Sequence, residues 1–599
     1  MILTATPTRQ LLSAAAALWL AATLTGCGGL GVSSISTTTT GAAVHGISGR
    51  VTGGQQPVNG SAVQVYLVNN SALKGLSTVP AGASATTDSN GNFSITTSYS
   101  CPTGSYAYIV ATGGNSGGGG SNSVTAMMAG LGPCPVTSAL VNIDEVTTVA
   151  SVYALAPFMA DYKHIGYTGS TTGIGNAFAM INNLVYTPYG ISPGLSVPAN
   201  ATIPSAEINT LADLLGNCIN STLTTNTCST LLSLATPPSG GITATDTIGA
   251  MLNIATNPAS PNVAALFGQV PTGSPFQPTL TVPPSDWTMS VKLTGNNLST
   301  PYGVAIDSIG DAWVTNETGS AISLFGPTGS VLGMGGTPAT FSGAQGISID
   351  GSGNIWVANT GANNVLKLSS IGGLSATVST GMAGPVDVAA DARGNIWVAN
   401  FNGNNLLEFN NSGVLQNTLT ASSTLSRPTA VAIDFSGNAW ISNSGAGTMT
   451  EYSKTATLVS TGSGWSDNAL QGPAGVALDS AGRAWVAGTG GPELSGFTAA
   501  GTVAGSAPVY GVLNQPAGVA VDSAGTIWVA NSNATGGLSQ FAAATGTSVA
   551  ASLGSLNTPV EVAVDPSGNL WTANSGDNSV SIFVGLAAAT TTPLVARTQ

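Results

Sequence analysis

From about residue 300 to 585, apolar and polar positions alternate in short runs bounded by Gly, Asn, Asp and Ser, the pattern of strands joined by tight turns. One unit reads Gly346 to Asp350, a D-x-x-G turn through Asn354, Ile355 to Asn359, a glycine-rich turn, and Asn364 to Leu368, with room for a fourth strand before the next unit. The pattern repeats. Asp307, Asp350, Asp391, Asp434, Asp479, Asp522 and Asp565 recur at intervals of 43, 41, 43, 45, 43 and 43 residues. Six positions after each stands Trp313, Trp356, Trp397, Trp440, Trp485, Trp528 or Trp571, and because the chain holds only 10 Trp, composition alone does not produce this register. Repeated four-stranded units bury both faces by packing around an axis, which predicts a seven-bladed β-propeller over 287–585. The seventh unit lacks a fourth strand, and the alternating segment Trp287 to Leu293 fits that vacancy beside Val580 to Phe583, closing the ring and removing open edges.

Before the repeats the period changes twice. Gly49 to Val51, Ala62 to Val68, Phe93 to Ile95 and Tyr106 to Val110 read as the strands of a β-sandwich over 45–112, followed by a glycine-rich connection over 113–139. A helical period follows over 140–268, opening on a capping box between Asn142 and Glu145 and broken at Pro157. Further helical runs are Ala177 to Tyr186, Ser205 to Leu215, Ser229 to Leu234 and Thr247 to Ile254. A Pro-rich linker over 269–286 leads to the repeats, an Ala/Thr-rich tail covers 586–599, and deletion of residues 590–599 is expected to cost little. The predicted fold class is therefore mainly β and multidomain: an N-terminal β-sandwich, a middle α-helical domain and a C-terminal seven-bladed β-propeller.

Composition narrows the partners. Only 6% of the 599 residues are charged, against roughly 25% in an ordinary soluble protein, and the formal net charge is −13. With no Lys/Arg cluster to neutralise phosphates, nucleic acid is not an expected partner. Met1 to Arg9 followed by the uncharged run Leu11 to Leu24 reads as a leader over 1–26, with a flexible tether over 27–44. Setting Cys27 apart leaves Cys101, Cys134, Cys218 and Cys228. An even count in an exported chain points to disulfides, and of the three connectivities Cys101 with Cys134 and Cys218 with Cys228 keep each bridge inside one predicted domain.

Three resemblances add to this reading. The repeat units, including Pro516 to Asp522 (P-x-G-V-A-V-D), resemble NHL repeats, and their D-x-x-G-x-x-W register is similar to that of the streptogramin lyase group. Gly46 to Val51, Pro57 to Gly60 and Thr87 to Ile95 resemble the carboxypeptidase regulatory-like, or prealbumin-like, domain, which implies a spacer or recognition module without chemistry. Leu24-Thr25-Gly26-Cys27 resembles the lipobox of bacterial lipoproteins, which implies a lipid on Cys27 and a cell-envelope location, at the outer membrane or an extracellular face.

Candidate chemistry is sparse. The seven Asp are expected to accept backbone hydrogen bonds in their turns, and the seven Trp to fill the core between blades. Asn316, Asn359, Asn400, Asn443, Asn531 and Asn574 recur three residues past a Trp, with Gly488 breaking the series; they are turn-formers first and candidate ligand groups second. Most first strands carry Gly at one position (Gly303, Gly346, Gly475, Gly518), where the third, fourth and seventh units carry Asp387, Ala430 and Glu561. First strands line a propeller's axis, so Asp387 and Glu561 are candidate ligand groups at the channel mouth. With the Asn amides they form an oxygen set that suits Ca²⁺ or a hydroxyl-rich ligand such as a sugar; no other cofactor is expected. The lyase resemblance implies an enzyme working with histidine, a carboxylate and a divalent metal, yet the only histidines, His45 and His164, precede the repeats. The reading is thus a lipid-anchored, monomeric binding or scaffolding protein for an unidentified protein or glycan. The alternatives are a propeller enzyme of streptogramin-lyase or gluconolactonase type, and a structural surface protein.

Overall fold

The computed structural model describes residues 43–44 and 46–594, apart from short stretches at 118–119, 137–139, 222–225, 239, 334–340, 421–423, 468–469, 505–512 and 543–544. The expected leader, Cys27 and His45 lie outside the described residues. The architecture is mixed: N-terminal β-sheets, a central helical stretch and a C-terminal series of antiparallel sheets.

The N-terminal part has two main sheets. In one, Ile47–Gly53 pairs with Asn92–Ile95 and, in parallel, with Leu140–Ile143; in the other, the order is Ser84–Thr86, Ala62–Leu67, Tyr106–Thr112, Ala126–Pro133. The connection expected over 113–139 thus contains a long paired strand, and the helical period expected from 140 begins only after a further strand. The first was missed because Ala126 to Pro133 lacks the alternation of a half-buried strand. The two expected disulfides form, with Cα separations of 5.4 Å for Cys101–Cys134 and 4.5 Å for Cys218–Cys228.

Helix α1 (Glu145–Leu155) is buried on every side. Its Thr148 and Ser151 hydroxyls accept the Met128 and Gly130 N–H groups, while Thr247, at the start of another helix, accepts from Ala126. The open edge of strand Ala126–Pro133 is thereby satisfied by side chains, which is why so apolar a helix carries hydroxyls. The cap differs from expectation: Asp144, not Asn142, caps α1 and forms the box with Thr147, and Asn142 instead donates to Asp144. The chain leaves α1 through a short 3-10 turn at Ala156–Phe158, where Pro157 ends it as expected. Five more helices follow among the described residues: α2 (Thr172–Leu184), α3 (Ser205–Ile219), α4 (Thr227–Leu234), α5 (Thr247–Thr256) and α6 (Val263–Phe267). No helix among the described residues is long and apolar enough to cross a membrane.

Seven antiparallel sheets make up the rest. Their first strands, from Pro301–Ile306 to Pro559–Val564, each lie beside the next, and the last lies beside the first, so the series closes into a ring. Among the described residues, sheets one, four and five have three full strands, with isolated bridges beyond (Phe325 to Val331; Tyr452 to Leu458 and Met449 to Trp465; Phe497 to Val503) where the repeat leads one to expect a fourth. In the seventh sheet Ser290–Leu293 pairs with Ser579–Phe583, Val291 opposite Ile582, and Ala201–Thr202 adds outside it. The ring is therefore latched by the segment that precedes it.

Each Trp of the register is fully buried and packs into the core of the following sheet; Trp571 closes onto the first sheet and the helical layer. Its indole N–H donates to the Asp six residues earlier in all seven units, at 3.0 to 3.4 Å. The other Asp oxygen accepts turn N–H groups, as at Asp350 from Ser352 and Asn354. One carboxylate thus ties turn, strand and inter-sheet core together.

The helical layer and tail dock on the face carrying these Asp turns. Asn176 donates to the Ile309 carbonyl and Asn183 to that of Thr328. The tail, of which residues 590–599 were expected to be dispensable, runs over three Asp turns: Ala588 N–H donates to Asp522, Thr590 N–H to the Asp565 carbonyl and the Thr592 hydroxyl to the Asp307 carbonyl. Its Ala and Thr side chains look unpatterned in sequence, but their small size lets the backbone come close enough to bond.

Candidate functional site

The first strands explain the glycine rule. A Cβ at Gly303, Gly346, Gly475 or Gly518 would stand 2.6, 2.8, 2.3 or 2.7 Å from a carbonyl oxygen of the next first strand, so glycine lets neighbouring strands close around the axis. Asp387 and Glu561 break the rule because each leans on a glycine of the preceding sheet: Gly346 lies against Asp387 and Gly518 against Glu561. Asp387 Oδ2 accepts the Val431 N–H of the following sheet at 2.9 Å. Glu561 Oε1 accepts only the Val562 N–H beside it, at 3.1 Å.

Three further polar residues share this end of the ring, opposite the face covered by the helical layer. Tyr302 precedes Gly303, Glu317 follows Asn316, and Gln345 precedes Gly346. Gln345 donates to Glu317 at 2.9 Å and accepts from Thr360 at 3.2 Å. Sequence reasoning missed all three, although each stands one position from a repeat landmark.

Electrostatics connects sheets that are distant in sequence. Burial pushes Asp387 up to about 7. Burial, with the charge of Asp387 adding to it, pushes Glu561 up to about 8. The Tyr302 hydroxyl is driven far above its ordinary value by burial first, then by Glu561, Asp387 and Glu317. Groups from the first, third and seventh sheets therefore share one neighbourhood, in which burial and like charge favour the protonated carboxyls. His164 sits in the helical stretch, against Asp161.

The Asn series does not join this cluster. Its six members are buried and committed to their own loops. Asn316, Asn359, Asn400 and Asn531 each accept, through the side-chain oxygen, a backbone N–H 17 residues earlier, from Ser299, Ser342, Ala383 and Asn514. Asn443 and Asn574 donate to hydroxyls of the third strand, Thr450 and Ser581. Candidate ligand groups by spacing, they are loop latches by geometry, because a buried amide takes the backbone partners within reach. The oxygen set proposed for Ca²⁺ loses these members, and among the described residues no group of three or more His, Cys, Asp or Glu is arranged to hold a metal ion.

The NHL repeat profile matches residues 513–534, the first two strands of the sixth sheet. The C-terminal ring is a β-propeller. Among solved structures, the propeller is similar to virginiamycin B lyase from Staphylococcus aureus, at 15% identity over 49% of this chain and 98% of that one, with a TM-score of 0.44. A streptogramin B lyase aligns at 19% identity over 49% and 97%, TM-score 0.42. The WD40 propeller domain of Doa1 aligns at 12% identity over 49% and 95%, also at 0.42. No curated protein sequence matches the chain.

Proposed function

We propose that this chain is a binding protein of the bacterial envelope, lipid-anchored at Cys27, whose seven-bladed propeller holds a small polar ligand or a partner segment at its axial mouth. The carrying observation is that Asp387 and Glu561 act on Tyr302, so that groups of three blades lie near one another at the propeller end away from the helical layer. Carboxyls held neutral both donate and accept, which favours a hydroxyl- or amide-bearing ligand over a bare cation. The N-terminal sheets, read as a prealbumin-like spacer, would set the propeller off from the membrane. Calorimetric titration with calcium and with a panel of glycans tests the site: binding weakened by Glu561→Ala, with the melting temperature kept, supports it, and no binding by any of them returns the chain to a structural role. Fractionation of Cys27→Ser tests the anchor, and a variant that stays with the membrane removes it.

A second reading, a propeller enzyme of the streptogramin-lyase type, is favoured by the same two carboxyls, since groups titrating near pH 7 and 8 suit general acid–base work without histidine. Incubation with a type B streptogramin decides it: turnover lost in Glu561→Gln supports the enzyme, and intact substrate after prolonged incubation rejects it.

A further inference from the structure

A second concave site lies where the end of α2 meets strand Ala126–Pro133. The cleft holds about 180 Å³, below the roughly 300 to 1,000 Å³ of pockets for drug-sized ligands, which suits one small ring. Leu131 and Val185 give it apolar walls, and Tyr186 stands beside them. Tyr186 is backed by the exposed Tyr189 ring at 5.3 Å between centroids. Asn182, Thr187 and Ser196 supply neutral polar groups. The Thr187 hydroxyl has no hydrogen-bond partner within the protein, and Asn182 and Ser196 are solvent-exposed.

The loop forming this wall is fixed. Tyr186 N–H donates to the Ile191 carbonyl, Asn142 N–H to that of Thr187, and Asn142 Nδ2 to that of Tyr189. Gly190, at φ +61°, packs so tightly on Asp144 that a Cβ would overlap its carboxyl. The cleft is thus preformed, and the strand and helix beneath it belong to the main core.

We propose that this cleft binds a neutral saccharide unit. No charged side chain lines it, so an ionic ligand would lose its hydration without gaining a counter-charge. A purely apolar ligand would strand the polar groups of the wall. A pyranose satisfies both halves, laying its C–H face on the tyrosine and apolar wall and its hydroxyls on Asn182 and Ser196. This site is independent of the axial mouth.

The test is calorimetric or saturation-transfer titration of the full chain with neutral mono- and disaccharides, up to about 10 mM. Asn182→Ala is expected to weaken binding about tenfold, and Ser196→Trp, placed on the exposed rim to fill the cleft without disturbing the core, to abolish it. Glu561→Gln at the propeller mouth is expected to leave it unchanged, which separates the two sites. Absence of binding across the panel, binding that survives Ser196→Trp, or a cleft that takes a peptide side chain in preference to any saccharide would overturn the proposal.

Discussion

Asp350 gives the sharpest test of how the repeat register holds the propeller together. Its Oδ1 accepts the Ser352 and Asn354 N–H groups, and its Oδ2 accepts from Asn354 Nδ2, Trp356 Nε1 and Asn411 Nδ2 of the next blade. Burial alone would raise this carboxyl, but the hydrogen bonds from Trp356, Asn354 and Ser352 outweigh burial and hold it below its ordinary value. Asp350→Asn keeps the Oδ1 acceptor and turns Oδ2 into a donor that faces three donors. At 1.5 to 3 kcal/mol for a charge-assisted bond, and with one of the three relieved by rearrangement, the loss is about 3 kcal/mol. Trp356→Phe removes one donor and part of a buried ring, for about 2 kcal/mol. Because the two changes remove the same bond, the double variant is expected to fall short of the sum by about 1.5 kcal/mol. Urea unfolding of the four proteins at pH 7 measures this. The folded-state value is lowered, so the stabilisation is present above the ordinary carboxylate range and is lost as pH falls through the folded value; the Asp350→Asn deficit must shrink on acidification. A coupling below about 0.5 kcal/mol, or a deficit that does not change with pH, would refute the role assigned to the Asp–Trp pair.

Other consequences concern closure, the tail and buried acid. Val291→Pro, in the strand that latches the seventh blade, is expected to cost about 3 kcal/mol and to open the ring to proteolysis; unchanged protease resistance would contradict the closure in which Val291 faces Ile582. Truncation after Leu586 removes the bonds to Asp522, Asp565 and Asp307, with an expected loss of about 2 to 4 kcal/mol on thermal unfolding; a melting curve identical to that of the full chain would show the tail to be dispensable after all. Glu145 is raised well above its ordinary value by burial first and by Asp144 next, so its contribution is complete below the unfolded-state value and declines as pH rises toward the folded one. Glu145→Gln, which can keep the bond from Gly54, is therefore expected to be more stable than the parent at pH 8, with the gap closing as the pH falls to the ordinary carboxylate range; equal stability of the two proteins at pH 8 would contradict the burial of this carboxyl.

The parts legible in the sequence are those where one residue type serves one geometric need many times. A Trp six places after an Asp marks a blade because the indole N–H must reach that carboxylate. The latch segment was legible because the seventh unit ran out of strands. The glycine rule was visible as a pattern, but its cause, a neighbouring carbonyl within 3 Å of any Cβ, belongs to the packing of two blades about 43 residues apart and has no local signature. For the same reason the partners of Asp387 and Glu561 were out of reach: Tyr302 meets them only once the ring closes. The Asn residues bond their own loops, as turn-formers are expected to; a ligand role rested on spacing alone, which tells where a side chain recurs and not which backbone group it bonds. Strand Ala126–Pro133 was hidden by being apolar on both faces, its edge satisfied by hydroxyls of α1 that read as ordinary helical Thr and Ser.

At the axial mouth the Asp387 and Glu561 carboxyls are both raised by burial, and Glu561 also by the charge of Asp387. A pH titration of ¹³C-labelled carboxyl groups by NMR, with Asp387→Asn and Glu561→Gln supplying the assignments, tests it without any knowledge of the ligand. The expected result is one carboxyl titrating at about 7 and another at about 8, with the Glu561 midpoint moving down in Asp387→Asn. Two carboxyls titrating independently near 4, as exposed side chains do, would contradict the account.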